Sequence, residues 1–201
     1  MFSRYIDPTT DFGFKKLFGE EVNKDIIMSF IQDVLELETP LSEIGFLDKE
    51  QLPESVEERV GVYDIFCRSE DGSDFIVEMQ KNKIDFIKDR MVYYSTFPIV
   101  AQAKKGKIPV EINGRYKEIP WDYELFPVYC IAILGFAFNG EDTVCVKRNS
   151  IRDDEPPHNV FYDKLRYITI ELPLFDERKP EYSLDKHFNK VVVFSKVVTQ
   201  F

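Results

Sequence analysis

The sequence is poor in the residues on which many common active sites depend. It has two histidines, His158 and His187, which leaves little for a zinc site or for a serine hydrolase triad. Its three cysteines are widely separated and form no CxxC pair, so no disulfide framework is indicated. A glycine-rich phosphate-binding loop is also missing. Chemistry in this chain is therefore expected to come from carboxylates.

Positive charge and long apolar runs are scarce as well. Lys and Arg total 26 against 36 Asp and Glu, a net charge of −10, so a broad electropositive face for nucleic acid or membrane is not indicated. The longest mainly apolar run, residues 126–138, is too short to span a bilayer, and the N-terminus has no apolar signal core. We expect no membrane association, a cytoplasmic location and reduced, buried cysteines.

Hydrophobic residues make up 44% of the chain, and 18 Phe and 10 Tyr predict an aromatic-rich core. The length favours one domain over residues 1–201, with a polar insertion near 104–124 that could hold a small hairpin. Apolar spacing predicts helices after the cap candidates Thr9 to Asp11, over 22–35, and over 86–103 with a kink or a second piece at Pro98. The remaining predicted elements are a loop at 36–55, strands at 59–67, 75–80, 126–136, 143–148 and 165–172, and a helix or strand at 188–198. We also predict that Gly19 ends the first helix in the left-handed conformation.

Two of these strands form the most informative part of the sequence. The turn residues 69–74 separate them, which predicts a β-hairpin. If Cys67 pairs with Phe75, Asp64 falls opposite Glu78, and Gln80 shares the face of Glu78 because strand side chains alternate. A one-residue bulge would change the alignment of Asp64. The hairpin thus predicts two carboxylates and an amide in one pocket.

Two opposed carboxylates in an apolar setting repel each other and are poorly solvated. A divalent cation such as Mg²⁺, which prefers oxygen ligands and keeps several waters, would stabilise the pair and activate a water molecule. Gln80 could hydrogen-bond that water or a phosphate oxygen. The alternative is that Asp64 and Glu78 lie at a sheet edge or pair with Arg59, Lys15 or Arg90, because structural ion pairs produce similar clusters.

At this point the sequence resembles a known group, the recombination-promoting nuclease and transposase (Rpn-type) family of the PD-(D/E)XK nuclease superfamily. The matching elements are spread over roughly residues 7–175: the N-terminal run DFGFKKLFG (Asp11 to Gly19), the strand Tyr63-Asp64-Ile65, the strand IVEMQ (Ile76 to Gln80), the helix with Phe86, Arg90, Tyr93 to Ser95 and Gln102, the apolar strand from Pro127 to Phe136, and Glu171 to Pro173. Their order makes the resemblance more specific than any one motif.

The resemblance implies an α/β, restriction-endonuclease-like core with a mixed central sheet flanked by helices, and Mg²⁺-dependent (or Mn²⁺-dependent) cleavage of DNA. It implies that Asp64 and Glu78 are metal ligands and that Gln80 completes the catalytic set. Gln80 stands where the wider superfamily usually has lysine, so positive charge must come from elsewhere. Arg90 is the first candidate for that charge and Lys15 the second.

Two further acids have open roles. Asp11 either caps the first helix or lies near the metal, and Glu20 is either an extra acid of the site or a solvated helix start. Residues 107–122 are longer and more polar than the family pattern. Family members often carry a further C-terminal segment, so either the natural protein extends beyond Phe201 or it is a shortened form. DNA is the expected partner, bound weakly and with strong salt dependence, and a homodimer is an option. The competing hypothesis is a catalytically weak or inactive nuclease fold that acts in DNA binding or protein assembly.

Overall fold

The computed structural model describes residues 7–47, 63–104, 107–112, 115–138 and 143–176. Within these ranges the helices are α1 (Asp11–Phe18), α2 (Lys24–Leu35) and α3 (Ile87–Lys104). The strands are β1 (Ile44–Phe46), β2 (Ile65–Ser69), β3 (Asp74–Gln80), β4 (Lys107–Ile112), β5 (Arg115–Pro120), β6 (Val128–Leu134), β7 (Val146–Arg152) and β8 (Val160–Glu171). None of the helices described is long and apolar enough to cross a membrane.

Six strands form one mixed sheet in the order β1-β2-β3-β6-β8-β7. Strands β3, β6 and β8 run parallel, whereas β1, β2 and β7 pair with their neighbours in the antiparallel direction. Strands β4 and β5 form a separate antiparallel hairpin. The predicted α/β fold with a mixed central sheet flanked by helices is confirmed. Because β3, β6 and β8 are parallel, their carboxyl ends meet at one edge of the sheet.

The alternation of side chains along β3 decides which groups meet on each face of the sheet. Phe75 and Val77 pack in one core with α1 and α2, and Ile76 packs in a second core with α3. Glu78 follows Ile76 at the two-residue period of a strand, which places its side chain on the α3 face. Glu78 and Gln80, near the end of β3, therefore face helix α3.

The N-terminal helices differ in detail from the prediction. Thr10 caps α1, because its hydroxyl accepts a hydrogen bond from the Gly13 amide at 3.1 Å. Gly19 ends α1 with a φ of −98°, so the predicted left-handed conformation is wrong there. A Cβ at Gly19 would lie 2.8 Å from the Lys15 carbonyl oxygen, so close approach is the reason for glycine. Val22 precedes α2 in a 3-10 turn and is exposed, so it does not belong to the apolar stripe.

The observed bounds of other elements also differ from the predicted ones. Strand β1 lies inside the predicted loop 36–55, and β2 begins at Ile65, after the predicted start. Strand β6 is shorter than predicted, β7 begins three residues later, and β8 begins five residues earlier. Helix α3 continues through Pro98 as one element. The predicted strand residues 59–62 and the predicted element at 188–198 lie outside the described residues.

Candidate active site

The hairpin register places the two predicted carboxylates at the open end of the hairpin, before the start of β2 and near the end of β3. Cys67 pairs with Phe75 and Ile65 with Val77, which confirms the predicted register over these residues. Asp64 lies one residue before β2, and its Oδ2 accepts a hydrogen bond from the Met79 amide at 2.7 Å. The Met79 amide is thus bonded by the Asp64 side chain instead of by a backbone carbonyl of β2. This hydrogen bond holds the Asp64 carboxylate beside Glu78.

Glu78 is a buried acid with one unsatisfied oxygen. Its side chain is 7% exposed, and Oε2 accepts a hydrogen bond from Arg90 Nη2 at 3.0 Å. Oε1 is buried and has no hydrogen-bond partner among the described residues. Burial raises the pKa of Glu78 to about 8, although Arg90 lowers it, and the neighbouring charge of Asp64 raises it further. An unpaired carboxylate oxygen in such a place is costly unless a further group binds it.

Asp64 belongs to a second acid–base group that includes helix α1. Lys15 Nζ lies 3.5 Å from Asp64 Oδ1 and 2.6 Å from Asp11 Oδ1. Burial raises the pKa of Asp64, the Met79 amide opposes that rise, and a hydrogen bond with the Asp11 carboxyl adds to it. The carboxyl groups of Asp11 and Asp64 are therefore close neighbours, with Lys15 bonded to both.

Gln80 and Arg90 complete the cluster on the α3 side. Arg90 Nη1 lies 3.4 Å from Gln80 Oε1, and Arg90 Nε donates to the Tyr94 hydroxyl at 2.7 Å. The guanidinium also lies over the Tyr94 ring, 5.0 Å from its centroid. Arg90 thus connects Glu78, Gln80 and Tyr94, and it is held in place more firmly than a surface arginine.

The structure separates the two additional acids that the sequence proposed. Asp11 lies in the first turn of α1 and reaches the cluster, and the capping role belongs to Thr10. Glu20 pairs with Lys16 on the exposed side of the chain, as a solvated helix start would. The alternative that Asp64 and Glu78 pair with basic residues also holds, because Lys15 and Arg90 contact them. Arg59 lies outside the described residues.

The backbone at the end of β3 is hydrogen-bonded to the residue that follows β6. The Gly135 amide donates to the Gln80 carbonyl at 2.9 Å. A Cβ at Gly135 would lie 2.4 Å from the Lys81 carbonyl oxygen, closer than real contacts allow. Glycine at this position is therefore required by the close approach of two backbones, and that contact fixes the peptide after Gln80.

Sequence reasoning did not find Tyr63 as a support for Asp64. Pro98 has no N–H, so the carbonyl of Tyr94, four residues earlier, loses its helical donor. The Tyr63 hydroxyl donates to that carbonyl at 3.0 Å, and its ring packs edge-on against Tyr94. Burial raises the pKa of Tyr63, so the phenol keeps its proton. The proline in α3 thereby anchors the residue that precedes Asp64.

Replacing Tyr63 by phenylalanine is expected to lower the free energy of unfolding by about 1–2 kcal/mol, because the Tyr94 carbonyl loses its donor. Pro98→Ala restores a backbone N–H, so the same Tyr63 change should cost less in that background. Urea unfolding of both single variants and the double variant measures this coupling. Equal costs of Tyr63→Phe in the two backgrounds would contradict the account.

These groups could bind a metal ion, but they supply only part of its coordination shell. No set of three or more His, Cys, Asp or Glu side chains within the described ranges is arranged to hold an ion. Mg²⁺ in proteins is usually bound by one or two carboxylates together with waters and substrate phosphates. Asp64 and the unsatisfied Oε1 of Glu78 match that donor set. The residues present therefore fit a divalent cation that is completed by substrate.

A cavity of about 300 Å³ lies on the other flank of α3, lined by residues that include Lys88, Phe138, Lys147 and Tyr167. None of Asp64, Glu78, Gln80 and Arg90 lines it. The carboxylate cluster lies instead at the open end of the β2–β3 hairpin, and the chemistry of its side chains identifies it.

The comparison with protein families agrees with the fold. The family model described as PD-(D/E)XK nuclease family transposase matches residues 8–196. The match covers α1, the β2–β3 hairpin, α3 and the rest of the sheet. No curated protein and no solved structure matches the chain. The resemblance drawn from the sequence motifs is confirmed, and the chain belongs to the PD-(D/E)XK nuclease family transposases.

Proposed function

We propose that this protein is a metal-dependent DNA endonuclease that hydrolyses phosphodiester bonds. The observation that carries the proposal is the buried Glu78, whose Oε1 has no hydrogen-bond partner among the described residues. Asp64 stands beside it, and burial raises the pKa of both carboxyl groups, so a bound cation would stabilise the charged form that the site alone disfavours. Family membership supports a nuclease or transposase activity, and the cluster supplies the acids that such an activity uses.

Asp64 and Glu78 are the residues that would hold a divalent cation. When bound, such an ion supplies positive charge at the phosphate and lowers the pKa of a water ligand. The Gln80 amide can donate a hydrogen bond to a water molecule or a phosphate oxygen, but it adds no charge. Arg90 and Lys15 lie within the cluster and can neutralise charge on the phosphate. Asp11 orients Lys15 through their ion pair.

Cleavage of supercoiled plasmid in Mg²⁺ or Mn²⁺ tests this proposal. Asp64→Asn should lower the rate by about 100-fold or more, because it removes a charged ligand from the cation. Asp153→Asn, an exposed change in the loop between β7 and β8, is the matched control and should leave the rate unchanged. Equal nicking by the Asp64 variant and the wild type would refute the assignment.

A second candidate is a DNA-binding or assembly module without catalysis. It is favoured by the contacts of the acids, since Glu78 pairs with Arg90 and Asp64 with Lys15. Ion pairs that satisfy the acids from within the chain reduce the need for a metal. Salt-dependent DNA binding without cleavage in either metal would support this candidate.

The same proposal extends to partner and location. DNA is the expected substrate, and the findings give no support to a homodimer. Cys67, Cys130 and Cys145 are buried and are not joined in disulfides, and burial raises the pKa of Cys67 to about 12. Unreactive reduced thiols favour a cytoplasmic location.

A further inference from the structure

Phe86 breaks two ordinary preferences of a folded chain. Its side chain is 78% exposed, although phenylalanine is usually buried. Its φ is +60°, a left-handed conformation that a bulky residue rarely adopts. Among the described residues its ring contacts no other aromatic ring and no cation. The chain thus holds a large apolar side chain in solvent on a strained backbone.

The position of Phe86 relates it to the carboxylate cluster. It immediately precedes α3, and its carbonyl accepts a hydrogen bond from the Arg90 amide at 2.9 Å. Arg90 contacts both Glu78 and Gln80. Phe86 therefore lies one turn of backbone before the residue whose guanidinium contacts Glu78.

The neighbouring residue shows how this arrangement is maintained. Ile87 is 6% exposed and packs in the core between α3 and the sheet. The left-handed turn at Phe86 lets the chain bury Ile87 at once while the preceding ring points away from the core. Glycine would adopt that turn without strain, so the turn alone gives no reason for an aromatic residue. Strain of this kind, beside a cluster of functional groups, is an indication of a role in binding.

We propose that Phe86 forms a nucleobase-stacking site at the entrance of the active site. This inference rests on the proposed DNA endonuclease function and names the form of DNA that it favours. Aromatic rings stack on exposed bases of single strands with little sequence preference, whereas bases inside a perfect duplex are already stacked. Phe86 therefore recognises a base of the substrate strand that is unpaired or unstacked next to the scissile phosphate. Arg90, one turn away, lies where the adjoining phosphate would enter.

Binding of labelled oligonucleotides in Ca²⁺, followed by fluorescence anisotropy, tests the site without requiring cleavage. Phe86→Ala and Phe86→Leu should each weaken binding of a single-stranded oligonucleotide about tenfold, and Phe86→Trp should retain it. The loss should be the same factor at low and moderate salt, because no phosphate contact is removed. For a perfect duplex, the change in the logarithm of the dissociation constant should be less than half of the change seen with the single strand. An oligonucleotide with 2-aminopurine should lose its stacking signal with Phe86→Ala.

Phe161 provides a matched control. It is 74% exposed and lies near the start of β8, ten residues before Glu171, which ends that strand at the edge of the sheet shared with β3. A strand of that length spans about 30 Å, so Phe161→Ala should leave binding unchanged. Phe86→Gly should raise the melting temperature while weakening binding, because it relieves the turn.

Three outcomes overturn the inference. Equal binding by Phe86→Ala and wild type excludes stacking and leaves the nuclease proposal standing. Full binding by Phe86→Leu shows that apolar cover, not an aromatic face, is what matters. Absence of any DNA binding by the wild type at low salt refutes the endonuclease proposal and the stacking site together.

Discussion

Replacement of Glu78 by glutamine should abolish metal-dependent cleavage and make the protein more stable at pH 8.5. The pKa of Glu78 is raised from 4.5 to about 8 in the folded state, chiefly by burial. Between these values the folded protein holds a proton that the unfolded chain has released. The free energy of unfolding of the wild type therefore falls as the pH rises through this window. Glutamine keeps the size of the side chain and does not titrate, so the fall should disappear.

The expected gain at pH 8.5 is on the order of a few kcal/mol, which corresponds to several degrees in melting temperature for a chain of this size. At pH 4 the two proteins should have nearly the same stability. Urea unfolding at both pH values measures the difference. Glu155→Gln, an exposed substitution on the loop after β7, is the control and should change stability at neither pH. A glutamine variant less stable than the wild type at pH 8.5 would show that the ion pair with Arg90 dominates over the cost of burial.

Added metal provides an independent readout of the same residue. Mg²⁺ or Mn²⁺ should raise the melting temperature of the wild type, because a ligand that binds only the folded state stabilises it. The same ions should have little effect on the Glu78→Gln variant. A metal-induced shift of equal size in the two proteins would place the ion elsewhere.

The second large effect is expected at the other end of the hairpin, away from the cluster. Asp74 is fully buried and receives two hydrogen bonds from Arg68, at 2.7 and 2.9 Å. Gln102 of α3 lies 3.4 Å from the same carboxylate. Arg68→Met should therefore lower the free energy of unfolding by about 3–5 kcal/mol, because it leaves a buried charge without its counter-ion.

Urea unfolding measures this loss, and a second substitution separates its cause. Asp74→Asn removes the charge, so the Arg68→Met/Asp74→Asn double variant should be more stable than Arg68→Met alone. Activity per folded molecule should stay at the wild-type value, since neither residue reaches the Glu78 cluster. A loss below 1 kcal/mol for Arg68→Met would mean that water replaces the arginine at Asp74.

The local part of the candidate site could be predicted from the sequence because it depends on one hairpin. A turn at 69–74 fixes the register, and the two-residue period of β3 then places Glu78 and Gln80 on one face. The contribution of Asp64 depends on the same register. Only its detailed role differs, since its side chain bonds the Met79 amide in place of a backbone partner.

The remainder could not be predicted because it depends on how distant segments pack. Lys15 was a candidate, yet no spacing rule states that it bonds both Asp11 and Asp64 across some fifty residues of chain. Tyr63 was unassigned, because its role follows from a proline that lies thirty-five residues later, inside a helix. Arg90 was expected either to neutralise phosphate or to pair with an acid of the hairpin, and the position of α3 decides that it contacts Glu78.

The glycine next to the end of β3 limits how the candidate site could be altered. Gly135 lets the backbones of β6 and of the peptide after Gln80 approach within hydrogen-bond distance. A new side chain at position 135 would push the Gln80 peptide away from its neighbour and disturb the acids beside it. A redesign of specificity should therefore keep this strand end rigid and vary the groups at its mouth, where loop substitutions leave the acids in register.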